Sequence, residues 1–252
     1  MKRFISIVAW LFLSAGFALA QQTFYFPQIV DGRDPGPLTH WHTTIYLSND
    51  GSAPANGTVT LFQSDGTPMN ISFVDDQSLG AAIGNKITFQ IQPGQTRKYT
   101  SVGSADLQVG YGVVTSSVPI AGDAMFAHWT NPPNERAIAE AGVPSAVLMN
   151  KQGVFVDTQF GYNSGVAIAN PGSTAATVTF ELDAIDGTVV ATTTQTLAPG
   201  QHVARFVTEL FSGLTALAGQ LRISSDTGLA VVALRFDGSF EKFTTMFPFS
   251  IP

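Results

Sequence analysis

The residues best suited to chemistry sit in one short run, "THWHTT" (Thr39–Thr44), where two histidines flank a tryptophan. On a β-strand successive side chains alternate between faces, so His40 and His42 project from one side and Trp41 from the other. Two imidazoles so placed can share one Zn²⁺ or Cu²⁺. A metal needs a third ligand. His128 is the remaining imidazole in the first half of the chain, and Asp31 and Asp34 offer carboxylates. His40, His42 and His128 are therefore the candidate metal ligands. Trp41 and Trp129 beside them are candidate contacts for a glycan or a surface protein. The competing reading takes the histidines as an exposed strand end and buries both tryptophans in the core.

Catalysis finds no motif. There is no G-x-S-x-G elbow, no H-E-x-x-H, no P-loop and no cysteine. His202 follows a Pro-Gly turn with aspartate and serine common near it in sequence, but a Ser–His–Asp triad is assembled in space and no motif marks one here. Asp75-Asp76, and Glu181 with Asp183, read as solvated faces rather than carboxylates opposed across a cleft. No catalytic site and no cofactor are expected.

The elements that must position these residues are written as a repeat. "IYLSNDGS" (45–52) answers "VAIANPGS" (166–173), with Asn49 opposite Asn170. "TVTLF" answers "TVTFE", "SDGT" answers "IDGT", and "IQPGQ" answers "LAPGQ", all in the same order. Each segment reads as a strand or a turn. In "ATVTFELDA", Val178, Phe180 and Leu182 alternate with Thr177, Thr179, Glu181 and Asp183, the period of a half-buried strand. "LAVVALRF" is apolar on both faces, as a central strand would be. Asp-Gly and Pro-Gly pairs punctuate the strands at the spacing of an antiparallel sandwich. Helix is nearly absent; "ERAIAEAG" (135–142) and "VTELFSGL" (207–214) are expected to form a turn or two each.

On this alignment Trp41 falls opposite Tyr162, His40 opposite Gly161 and His42 opposite Asn163. His128 falls opposite Gly238. The histidines thus belong to the first copy alone. That copy also has fifteen more residues between its Asp-Gly and Pro-Gly turns, around "SFVDDQSLGAAIGNK", which predicts a long loop or an extra hairpin.

The ends and the composition bound the rest. Residues 1–20 read as a signal peptide: Lys2 and Arg3, an apolar run, then Ala18 and Ala20 before Gln21. Without Lys2 and Arg3, ten basic residues stand against eighteen acidic ones, a net charge of −8. That balance speaks against nucleic acid as a partner. No second long apolar run predicts a membrane span. Both ends, "QQTFYFPQIV" and "FTTMFPFSIP", read as edge strands of their own sheets, or alternatively as strands for donor pairing between copies.

The "DG…PG" rhythm, "GVAIANPG" and "ISSDTGLAVVALRF" make the chain resemble secreted bacterial proteins built of tandem immunoglobulin-like β-sandwiches. The resemblance covers nearly all of the chain after residue 20, rests on framework residues, and implies no activity. The expectation is an all-β protein of two tandem antiparallel sandwiches, immunoglobulin-like, with a jelly roll over the whole chain as the runner-up. Its parts are a signal peptide (1–20), unit one (21–130), a linker (131–146) and unit two (147–252). A non-catalytic secreted binding or surface-structural role follows, in the periplasm or outside the cell. The alternatives are self-assembly through terminal strands and a metal-binding protein or enzyme using the first-unit histidines.

Overall fold

Alternating apolar residues give the strands one wet and one dry face, and two such faces closed on each other make the fold. The computed structural model describes residues 21–35, 39–76, 81–103, 106–131, 135–239 and 241–252, without the side chains of 81–83. The segment read as a signal peptide lies outside the described residues. The fold is all-β, with antiparallel sheets packed as two sandwiches.

The first half begins with β1 (Gln22–Arg33), β2 (Thr39–Asn49), β3 (Ala55–Gln63), β4 (Ile71–Asp75) and β5 (Ala81–Gly84). It continues with β6 (Lys86–Ile91), β7 (Gln95–Ser101), β8 (Gln108–Ser116), β9 (Ala121–Thr130) and β10 (Ala137–Pro144). One layer runs β1-β8-β3-β6 and the other β10-β9-β2-β7-β4-β5. The last residues of β1 cross between them, with Gly32 opposite Trp41 and Arg33 opposite His40. The fifteen-residue excess includes the hairpin β4–β5, which extends the second layer.

The second half comprises β11 (Met149–Asp157), β12 (Asn163–Ala169), β13 (Ala176–Ala184), β14 (Val189–Leu197) and β15 (His202–Phe206). After the short helix α1 (Val207–Leu210) come β16 (Ala218–Phe236), β17 (Phe243–Met246) and β18 (Phe249–Ser250). The long β16 serves both layers. Its first part pairs β13 and β11, and its last part pairs β12 and β17.

Two expectations are corrected here. The stretch "ERAIAEAG" is not helical: Ala137–Pro144 forms β10, paired along β9. Much of the segment read as a linker is thus a strand of the first half, since a ladder of backbone bonds outweighs the modest helix propensity of alanine and glutamate. Asp183, expected outward, is buried, lying opposite Gln220 of β16. Its carboxylate accepts a bond from Gln220 Nε2 at 2.9 Å. The terminal strands both pair within the chain, β1 with β8 and β18 with β11.

The halves share core. Val231 and Ala233 of β16 belong to the second half's interior, whereas Val232 and Leu234, facing the other way, pack with Phe26, Ile45 and Phe126 of the first. Reciprocal amide bonds join Tyr25 and Ala146 at 2.9 and 2.8 Å. His202 crosses the same joint. Its Nδ1 meets Ser64 Oγ at 3.0 Å and its Nε2 meets Gln28 Oε1 at 3.1 Å. Burial pushes this imidazole down to about 4, so it stays neutral at physiological pH.

The folded state therefore binds fewer protons at His202 than the unfolded chain between the ordinary histidine value and about pH 4. Stability is full above the unfolded value and is lost as pH falls through that window, by about 3 kcal/mol in all. Urea unfolding from pH 7 to pH 4 should show this loss, with a shallower slope in His202→Gln. An identical slope in the variant would remove His202 as its source.

Candidate functional site

The candidate residues are sorted by the β2–β9 ladder. His40 lies opposite Trp129, Trp41 opposite His128, and His42 opposite Ala127. Directly opposed residues of an antiparallel pair share a face. The outer face therefore carries His40, His42 and Trp129, and the inner face carries Trp41 and His128.

On the outer face the two imidazoles stand edge to face, 4.6 Å between ring centres. Each has one nitrogen fixed. His40 Nδ1 bonds Asn131 Oδ1 at 2.8 Å, and His42 Nδ1 bonds the Ser101 carbonyl at 2.7 Å. Because both partners are acceptors, each Nδ1 carries a proton, which in the neutral ring leaves the lone pair on Nε2. Both Nε2 atoms turn to Glu135 Oε1, at 2.9 Å from His40 and 3.8 Å from His42. Edges of about 3.3 Å are what four ligands at about 2.0 Å around zinc would give. His40 is buried, His42 partly so, and Glu135 is nearly half exposed, so one side remains open.

Gly103 makes room for this arrangement. Its φ is +65°, and a Cβ there would lie 2.7 Å from His42 Cε1 and 3.0 Å from His40 Cδ2. Its amide donates to Asp31 Oδ1 at 3.0 Å. Burial pushes the Asp31 carboxyl up, against opposing bonds from Ser101 and Gly103 and the pull of His42 and His40. A buried carboxylate behind two imidazoles favours positive charge in front of it.

His128 does not join this group. The register sends it to the inner face, where its ring stacks on Trp41 with centres 4.2 Å apart. Its Nε2 lies 3.2 Å from Asp34 Oδ2. Asp34 also takes Thr39 Oγ1 at 2.6 Å and Trp41 Nε1 at 3.0 Å. Trp41 packs further against Phe126 and Phe243 and is partly buried. Trp129 stays half-buried on the outer face, its ring edge-on to His42 at 6.0 Å.

Sequence reasoning missed Glu135 and Asn131, which reach the imidazoles from the β9–β10 connection. The missed signal was the strand pairing of β10, which folds that connection back over β2 and β9. No protein-family model, no curated protein and no solved structure matches the chain.

Asp34 holds the inner cluster through three donors. Asp34→Ala strands all three, and a loss of about 2 kcal/mol in urea unfolding is expected. Asp34→Asn, which keeps one acceptor, should cost less. Equal stability of all three proteins would show that the cluster contributes nothing.

Proposed function

We propose that the protein is a secreted, non-catalytic binding protein whose first half takes up a divalent transition-metal ion through His40, His42 and Glu135. The observation that carries this reading is the convergence of two imidazole lone pairs and a carboxylate oxygen on one point. Three electron-rich atoms that close repel one another unless a proton or a metal cation lies between them, and a metal ion can serve all three at once. Imidazole with carboxylate suits Zn²⁺ first and Cu²⁺ second. The bonds from Asn131 and Ser101 fix both rings, as outer-shell partners do for metal ligands.

The framework reading goes with it. A tandem immunoglobulin-like repeat is supported by strand order, with β1-β8-β3-β6 answered by β11-β16-β13-β14. The other layers answer too, β10-β9-β2-β7 against β17-β16-β12-β15. Buried Asn49 and Asn170 play one part in both halves. Asn49 Nδ2 donates to the carbonyls of Ala53 and Ile91, and Asn170 Nδ2 to those of Thr174 and Leu197. A bacterial origin and export to the periplasm or beyond rest on the opening segment and the lack of cysteine. Among the described residues no helix is long and apolar enough to cross a membrane. Self-association through the terminal strands is the weaker alternative, because both pair inside the chain.

Calorimetric titration of residues 21–252 with Zn²⁺ at pH 7.5 tests the site. One equivalent should bind, and His42→Ala and Glu135→Gln should each weaken it at least about tenfold. His128→Gln should bind as the native chain does. Affinity should fall on acidification, since protons compete for the same lone pairs. No heat of binding, or equal loss in His128→Gln and His42→Ala, would sink the assignment.

A further inference from the structure

An open sheet ends in edge strands, and an edge strand exposes a row of backbone amides and carbonyls that another strand can pair. Most edges of this fold are blunted by shortness, by charge or by proline. β5, β17 and β18 hold four, four and two residues. β1 carries Pro27, β6 carries Lys86, β10 carries Glu140 and β15 carries Arg205. β14 has none of these devices. It is nine residues long, ends the order β14-β13-β16-β11-β18, and pairs only β13 among the described residues. It contains no charged residue, no proline and no glycine. The matching edge of the first half, β6, is six residues long and opens with its lysine.

The residues of β14 suit pairing. Valine and threonine dominate it, and their branched side chains favour extended backbone. Its one irregularity against β13 falls at Val190, between the pairs Asp183–Val189 and Leu182–Ala191, so Ala191–Leu197 run in unbroken register. Along that run Thr192, Thr194 and Thr196 are exposed and share the outer face. The run is its own complement about Thr194. An antiparallel copy turned about that point sets Thr194 opposite Thr194, Thr192 opposite Thr196, Thr193 opposite Gln195 and Ala191 opposite Leu197. No pair opposes like charges, and the outer-face pairs are all threonine, a favourable cross-strand match. Val189 and Val190, 52% and 46% exposed, then lie alongside the second copy's Ala198 and Pro199.

We propose that β14 is a docking edge for a second copy of this chain, two β14 strands pairing antiparallel about Thr194 so that the second-half sheets of two molecules become one. A two-fold contact uses the same edge on both partners, so it covers the open edge and stops at two chains. The occupant is a second copy because the run complements itself in side-chain type, and nothing on the edge selects a charged or a bulky partner. The contact lies in the second half, away from His40, His42 and Glu135 in sequence and in strand order. It also leaves the terminal strands β1 and β18 paired as they are.

Sedimentation velocity on residues 21–252 reads the association directly. Salt at about 0.15 M screens the net charge, and a chelator ensures that no metal bridges two chains. A dimer should grow in as the concentration rises through the micromolar range. Thr194→Lys and Thr194→Glu, at an exposed position, each set like charges opposite one another on the axis. Each should weaken the dimer about fivefold. Mixing the two variants brings opposite charges together at the same point and should restore a heterodimer, which also shows that neither loss is a folding defect. Lys86→Glu, on the matching edge of the first half, should dimerise as the native chain does. The proposal is overturned if the native chain stays monomeric into the millimolar range, or if both Thr194 variants dimerise as it does. It is equally overturned if the two variants, each with a native circular dichroism spectrum, stay monomeric when mixed.

Discussion

Ten consecutive residue pairs between β2 and β9, from Thr39 opposite Thr130 to Ser48 opposite Ala121, decide where every candidate residue points. A slip of one residue would exchange the faces, sending His40 and His42 inward and Trp41 to solvent. Several contacts hold the register. Ile45 and Leu47 are fully buried on the inner face. Opposite Leu47, Gly122 leaves the space that Phe24 occupies; a Cβ there would lie 2.5 Å from the Phe24 ring. At the other end Trp41 and His128 stack over the Asp34 carboxylate. The register is thus set by core residues and a steric gap, and the outer-face histidines inherit their geometry from it.

The joint between the halves follows from the same economy of faces. A sheet with one dry face needs one partner layer, and a sheet dry on both faces needs two. β12 and the last part of β16 are dry on both, and their second face is met by the first half. The cost of that arrangement is polar: any group drawn into the joint must find partners there. His202 does so with Ser64 and Gln28, remaining neutral. Thr245 does so with the carbonyl of Gly142, tying β17 to β10. The halves are therefore coupled by apolar packing and by buried polar bonds.

Much of this was legible in the sequence, and the parts that were not share one physical reason. Alternation along one strand is local information. It placed His40 with His42 and Trp41 opposite them, and it put Val178, Phe180 and Leu182 in the core, where they are fully buried. The apolar run "LAVVALRF" correctly signalled a doubly covered strand, but not that the second cover is the other half. Which strands meet, and in what register, is long-range information. It carried His128 to the face opposite His40 and His42 and brought Glu135 beside them. It also turned a helix-like alanine and glutamate pattern into β10. Asp183 is likewise buried by a long-range pairing, lying opposite Gln220 of β16.

The second half supplies a control for the two clusters. Where aligning the two halves by sequence sets Trp41 against Tyr162, the Arg235 guanidinium lies 3.3 Å over the Tyr162 ring and bonds Asp157 through two nitrogens. An aromatic ring, a cationic or basic group and a carboxylate thus close this strand end in both halves, as Trp41, His128 and Asp34 do in the first. A trio present twice is explained by the fold, which needs a polar closure where the sandwich meets solvent. The outer-face cluster has no such answer. Positions matched to His40 and His42 are Gly161 and Asn163, and Asn163 is occupied with Thr208. The scaffold closes without two imidazoles and a carboxylate on that face, and their convergence in the first half is the feature that folding alone does not require.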